Sequence, residues 1–166
     1  EKPEAIEEID QIIRESDALM VARGDLGVEV PYQSVPLIQK MLINKCIVHA
    51  KPIIVATQMM ESMITNVTPT RAEVADVANA VLDGADALML SGETSVGKFP
   101  IETIEMMARI IAKTEEEALD TVAPLRHNPH TTAGAITKAA TEVGEVVGAK
   151  FLVAFTQSGD SARRMS

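Results

Sequence analysis

An α/β fold with a parallel sheet is the architecture this 166-residue sequence predicts. Short apolar runs recur, each preceded by a segment of helical spacing, and they begin near Leu19, Ile53 and Leu88, 34 and 35 residues apart. A parallel strand pair needs a crossover, and a βα unit repeating at roughly 30 or more residues supplies one. The alternation selects an α/β class with a parallel sheet but does not separate a closed barrel from an open sheet.

Taken in order, Ile6, Ile9, Ile12 and Ile13 repeat at helical spacing before Glu15-Ser16-Asp17. The run Ala18 to Ala22 comes next as the first strand. Leu37, Ile38, Met41, Leu42, Cys46 and Ile47 mark the next helix, and Pro52 to Thr57 the next strand. Val74, Val77, Ala78, Val81 and Leu82 then lead through Asp83-Gly84-Ala85-Asp86 to a third strand, Ala87 to Leu90. All three runs are apolar throughout, as expected for strands covered on both faces. An amphipathic helix is expected over about Pro100 to Leu119, with Glu115, Glu116 and Glu117 as a solvated face. The Pro-containing polar stretch Ala123 to His130 reads as a linker. Beyond it come a helix over about Thr132 to Val147, a strand Phe151 to Thr156 and a Ser/Gly turn. The expected division is residues 1–121, a linker 122–130, and 131–166 as the start of a second domain. The chain opens Glu1-Lys2-Pro3 and closes within a helical pattern at Arg163-Arg164-Met165-Ser166, and so reads as an internal piece of a longer protein.

Composition narrows the function. Apolar residues make up 46% and charged residues 23%, a globular balance. A net charge of −9 argues against sequence-independent nucleic-acid binding, which needs basic surface, and 2% aromatic residues argue against a base-stacking platform. The single cysteine, Cys46, excludes an internal disulfide and a multi-cysteine zinc site and reads as a packed small hydrophobe. The longest unbroken apolar runs have five residues, against about 20 for a membrane span. No secretory leader opens the chain, so a cytoplasmic protein with no membrane partner is expected.

The polar residues of interest lie just past the strand ends, the edge where parallel α/β folds bind ligands. They are Arg23-Gly24-Asp25, Thr57-Gln58 and Ser91-Gly92-Glu93-Thr94. Gly24 lets backbone amides approach a carboxylate, and Asp25 is a hard oxygen donor suited to Mg²⁺. The competing reading is a βα turn in which Gly24 serves the bend and Asp25 caps the next segment. Thr57 either donates to a substrate oxygen or bonds nearby backbone; Glu93 is either a supporting base or a helix cap. His127 and His130 have no third ligand nearby and read as solvated linker. No Ser/His/Asp arrangement or P-loop is present.

The longer strings resemble the pyruvate kinase family. They are Met20 to Pro31, Lys51 to Met63, Pro69-Thr70-Arg71-Ala72-Glu73 and Leu90-Ser91-Gly92-Glu93-Thr94, in order and without large gaps. The resemblance implies a partial (β/α)8 TIM barrel, this chain holding its last three βα units, followed by the start of an α/β regulatory domain. It implies phosphoryl transfer from phosphoenolpyruvate to ADP, giving pyruvate and ATP in glycolysis, with Mg²⁺ or Mn²⁺ as metal. K⁺ assists in the family, its ligands lying upstream of this piece. Glu1 and Asp25 match the metal carboxylates, and the Lys that supports the phosphoryl group falls two residues before Glu1. The amides of Ala22, Gly24 and Asp25 match the pocket for the substrate carboxylate. Thr57 matches the hydroxyl beside the enolate carbon; Ser91 and Glu93 match a region linked to proton relay. Thr156, Ser158, Gly159 and Ser161 match a loop for a sugar-phosphate or nucleotide effector, where Gln157 and Asp160 replace basic residues and a plain capping turn is the other reading. A homotetramer is implied for the full-length protein, and the isolated piece is expected to be inactive. The alternatives are a Mg²⁺-dependent pyruvate or enolate barrel lyase and a stand-alone regulatory module.

Overall fold

The computed structural model describes residues 2–118 and 131–165. The chain forms two compact units, Glu1–Ala123 and Pro124–Ser166.

In the first unit, α1 (Pro3–Glu7) and α2 (Ile9–Glu15) lead to β1 (Leu19–Ala22), followed at once by α3 (Arg23–Glu29). A one-turn helix, Tyr32–Ser34, precedes α4 (Val35–Val48) and β2 (Ile53–Ala56). Another single turn, Glu61–Ile64, then leads to α5 (Arg71–Leu82), β3 (Ala87–Met89), α6 (Gly92–Ser95) and α7 (Pro100–Ala118). The three strands lie in the order β1-β2-β3, all parallel, with Leu19 opposite Ile53 and Ile54 opposite Ala87. The expected strand positions hold to within two residues at each end.

The register shows which face carries the core. Side chains alternate across a strand, so Leu19, Val21, Ile53, Val55 and Leu88 share one face. That face packs under the helices with Ile13, Ile43, Cys46 and Val77, each fully buried. On the other face Met20 is 49% exposed, Met89 36%, and Ala87 is exposed too. Burial on both faces therefore holds for the middle strand alone. In the described residues the helices pack on one side of the sheet, which leaves the outer strands half-covered.

Helix α4 follows its sequence stripe with one exception: Ile38, Met41, Leu42, Cys46 and Ile47 lie in the core or packed against it. Leu37, counted in the apolar stripe, is 70% exposed, whereas Ile43 is fully buried and Gln39 only 6% exposed. The buried Gln39 has a polar partner in the guanidinium of Arg23, 3.5 Å from its Oε1. The return from α5 to β3 is tied by an acidic side chain and shaped by a glycine. Asp86 Oδ2 accepts the Ile53 N–H at 2.7 Å, and Gly84 takes a left-handed φ of 92° where a Cβ would meet Ile47 at 2.9 Å. The solvated face at Glu115 to Glu117 is as expected, with Lys113 paired to Glu116 and Glu117.

The second unit contains α8 (Thr132–Val146) and α9 (Asp160–Met165). Thr131 caps α8, its hydroxyl accepting the Gly134 N–H at 3.1 Å. Leu152 lies against Gly144, where a Cβ would approach it to 2.7 Å. Residues 151–156, expected as a strand, carry no ladder pairing, and Phe151 and Phe155 are 88% and 98% exposed. A strand is defined by a hydrogen-bonded neighbour, and the described residues offer this segment none. The linker expected at 122–130, including His127 and His130, lies outside the described residues. No described helix is long and apolar enough to cross a membrane.

The phase of α4 is testable. Ile43→Ala should lower unfolding free energy by about 2–5 kcal/mol, whereas Leu37→Ala should change it by less than about 0.5 kcal/mol. Urea denaturation midpoints check the pair, and equal losses would mean that Leu37 is packed as closely as Ile43.

Candidate functional site

The C-terminal ends of β1, β2 and β3 bring Arg23-Gly24-Asp25, Thr57-Gln58 and Ser91-Gly92-Glu93 to one edge of the sheet. The parallel register makes this unavoidable, because Ala22 pairs with Ala56 and Ala56 with Met89. The residues after each strand end are then neighbours of those after the adjacent strand end.

The joint between β1 and β2 is the most constrained part of the edge. Thr57 and Gln58 both adopt left-handed backbone, with φ of 68° and 54°. That region is sparsely used by side-chain-bearing residues and is an outlier for a β-branched one. Such conformations cost on the order of 1–3 kcal/mol each and persist only where the surroundings impose them. Here Arg23 meets the carbonyls of both residues. Its Nε and Nη2 donate to the Thr57 carbonyl at 3.2 and 2.8 Å, and Nη2 donates to the Gln58 carbonyl at 3.0 Å. Nη1 meets Asp76 Oδ2 of α5 at 2.6 Å, and the Arg23 side chain is only 11% exposed. On the same joint, the Gly24 N–H donates to the Thr57 hydroxyl at 2.8 Å.

Gly24 thus lies in the first turn of α3 rather than in a loose bend, and its N–H, without an acceptor inside the helix, takes the threonine oxygen. The Thr57 hydroxyl accepts there and keeps its own proton for another partner. Asp25, in the same turn, is exposed, and its carboxylate has no hydrogen-bond or ion-pair partner among the described residues.

Glu93 is buried, at 2% exposure. Its Oε1 accepts the Met60 N–H at 3.2 Å and its Oε2 the Ser91 N–H at 2.8 Å. Lying inside α6, it receives the N–H of Ser91 just before that helix and fastens the loop after β2 to the end of β3. Ser91 itself holds a backbone place at this junction, its carbonyl 3.4 Å from the Thr94 hydroxyl.

A third anchor secures the loop further on. Glu73 of α5 accepts the Ser62 hydroxyl at 2.5 Å, the Ser62 N–H at 2.7 Å and the Thr70 N–H at 2.7 Å, and Thr70 caps the helix in return. Burial pushes the Glu73 carboxyl upward, but the hydrogen bonds from Ser62 and Thr70 outweigh it and hold the group below its ordinary value.

Among the described residues, no group of three or more His, Cys, Asp or Glu side chains is placed to hold a metal ion. Asp25 is one of the two carboxylates expected for a metal, and Glu1 lies outside the described residues. A lone exposed carboxylate at a strand end fits Mg²⁺, which takes one or two protein carboxylates and fills its remaining places with phosphate oxygens and water. Cys46 is fully buried and its thiol is pushed up to about 11, by burial and then by the Asp86 charge, so it stays an unreactive packing group.

Residues 1–104 match the family described as pyruvate kinase, barrel domain. The chain belongs to the pyruvate kinase family. It is 59% identical over 166 residues to a pyruvate kinase of Mycobacterium tuberculosis and 46% identical to one of Thermotoga maritima. Both alignments cover all of this chain and 35% of the relative. A crystal structure of a pyruvate kinase from Cryptosporidium parvum superposes with a TM-score of 0.85 at 44% identity, over 98% of this chain and 34% of that one. The chain therefore spans about a third of the length of the relatives it matches.

Of the residues that the pyruvate kinase resemblance singles out, Ala22, Gly24, Asp25, Thr57, Ser91 and Glu93 lie together at the strand ends. Thr156, Ser158, Gly159 and Ser161 lie in the second unit. There the Thr156 hydroxyl accepts the Gly159 N–H at 3.0 Å, the Ser158 hydroxyl accepts the Asp160 N–H at 3.3 Å, and Arg164 pairs with Asp160 at 2.7 Å. Those hydroxyls serve the turn that starts α9.

Sequence reading assigned no role to Arg23, Gln39, Glu73 or Asp76. The segment Thr70-Arg71-Ala72-Glu73 carried a usable signal, since a threonine three residues before a glutamate marks a capping box. The Arg23–Asp76 pair, 53 residues apart, carried none.

Glu73 gives the loop a defined pH dependence. A carboxyl whose folded pKa lies below its unfolded value stabilises the fold fully above the unfolded value and loses that contribution as pH falls through the folded one. The thermal midpoint of the wild type should exceed that of Glu73→Gln at pH 7. The gap should close as pH falls below the ordinary carboxyl value of 4.5. A gap that stayed constant down to pH 3 would show that the carboxylate charge plays no part.

Proposed function

We propose that this chain is the part of a pyruvate kinase that carries the last three βα units of a (β/α)8 barrel and the start of the regulatory domain. The whole enzyme then transfers the phosphoryl group of phosphoenolpyruvate to ADP, giving pyruvate and ATP. The observation that supports it best is the convergence of Asp25, the Gly24–Thr57 hydrogen bond and the Glu93-anchored loop on one sheet edge, in a chain of this family. The exposed faces of Met20, Ala87 and Met89 are what a partly assembled barrel wall presents.

Phosphoryl transfer asks mainly for positioning and for positive charge opposite spreading negative charge. Asp25, with Glu1 as the second carboxylate, would hold Mg²⁺, and the bound ion supplies that charge and inverts the acidic character of the edge. The chain's own groups do the rest. The first turn of α3 presents the Asp25 N–H to the substrate carboxylate, the Gly24 N–H being taken by the Thr57 hydroxyl. Thr57, already accepting from Gly24, donates its free hydroxyl proton toward the substrate. Glu93 keeps the loop after β2 in place, so that Thr57 does not drift. The barrel-lyase alternative draws no support from the relatives in Mycobacterium tuberculosis, Thermotoga maritima and Cryptosporidium parvum, each of which is named a pyruvate kinase.

In the complete polypeptide carrying this chain, Asp25→Ala should lower turnover of phosphoenolpyruvate and ADP by about 10²-fold or more and shift the Mg²⁺ titration to higher concentration. An unchanged Mg²⁺ titration would remove Asp25 from the metal site. The 166-residue chain by itself should show no turnover of phosphoenolpyruvate and ADP, checked by measuring pyruvate formation.

A further inference from the structure

The strained pair Thr57–Gln58 needs a cause, and among the described residues only the Arg23 side chain bonds both of its carbonyls. Left-handed backbone at two successive residues turns their carbonyl oxygens inward, where the Arg23 guanidinium receives them at 2.8 and 3.0 Å. The opposite side of the same guanidinium is held by Asp76 at 2.6 Å and faces Gln39 Oε1 at 3.5 Å. Asp76 comes from α5 and Gln39 from α4, so the helices packed beside the sheet fix the plane of the group. A planar fork with five donors can serve carbonyls on one side and a carboxylate on the other, and a point-charge ammonium cannot. Glu93 does not duplicate this task, because it takes the N–H of Met60 at the far end of the turn.

We propose that Arg23 is a positioning residue for Thr57: its guanidinium imposes the left-handed turn that brings the threonine hydroxyl onto the Gly24 N–H and aims its remaining proton at the substrate. Arg23 touches no reacting atom; it acts through Thr57. The inference rests on the role proposed for Thr57 in phosphoryl transfer, and it gives Arg23, the first residue of its strand-end motif, a task separate from metal and substrate binding. The consequence concerns turnover more than affinity. Substrate is held mainly by the metal and the Asp25 N–H, whereas a misdirected Thr57 loses a contact needed during transfer. A displacement of about 1 Å in such a group lowers turnover by about 10²-fold.

The test is a double-mutant cycle in the complete polypeptide, using Arg23→Lys, Thr57→Ala and the two combined, with phosphoenolpyruvate and ADP as substrates. Arg23→Lys should lower kcat by about 10²-fold while KM for phosphoenolpyruvate changes by less than about threefold. In the Thr57→Ala background the same substitution should lower kcat by no more than about threefold, because the residue it positions is already gone. A residue that merely supported the fold would cost as much in either background, and that additive result overturns the proposal. If Arg23→Lys fails to fold, Asp76→Asn replaces it in the same cycle, with a loss of about tenfold expected and the same non-additivity required. A crystal structure of the Arg23→Lys protein separates this inference from the functional reading. If the wild type has no phosphotransferase activity, the functional reading falls, and the structure alone decides the positioning claim. Thr57 leaving positive φ and parting from Gly24 supports it; an unchanged turn with the Gly24–Thr57 bond intact overturns it.

Discussion

The joint between the ends of β1 and β2 is the constraint on which the rest of the edge depends. Backbone donor Gly24, hydroxyl Thr57 and guanidinium Arg23 close a ring of hydrogen bonds across adjacent strands. Two left-handed residues in succession are costly, and this ring of bonds meets the carbonyls of both. With it, a conformation unfavourable in isolation becomes the one the core supports, because Asp76 and Gln39 tie the same guanidinium to α5 and α4. The site inherits its rigidity from helix packing remote from the substrate edge.

Charge burial obeys the same logic. Arg23 and Glu93 are almost fully withdrawn from water, which is tolerable only because hydrogen-bonding groups meet them. Arg23 gathers carbonyls, Glu93 gathers N–H groups, and the segment 57–60 is stretched between the two. Asp25 is the contrast: exposed and without a partner among the described residues, it is the carboxylate left available for a cation.

The repeat of about 34 residues was legible in the sequence, and it carried more than strand positions. Hydrogen bonds between Gly24 and Thr57, Ile53 and Asp86, and Met60 and Glu93 all join residues 33 apart, so the same period places one strand-end motif beside the next. That is why Asp25, Thr57 and Glu93 were recoverable as a group. The features that escaped are set by contacts that no periodicity encodes. The Gln39–Arg23 contact joins a polar position of α4 to the sheet edge, and the Arg23–Asp76 pair crosses 53 residues. The strand expected at Phe151 to Thr156 failed for a related reason: apolar composition marks a segment fit for a sheet but does not supply its neighbour.

The measurement that bears most directly on this account is a crystal structure of the complete polypeptide soaked with Mn²⁺ and phosphoenolpyruvate. The account predicts the ion on the Asp25 carboxylate and the substrate carboxylate against the first turn of α3. The Thr57 hydroxyl should lie within hydrogen-bonding distance of the ligand while Arg23 still grips its carbonyl. Ligand and ion at the opposite edge of the sheet, or bound with Thr57 turned away, would contradict it.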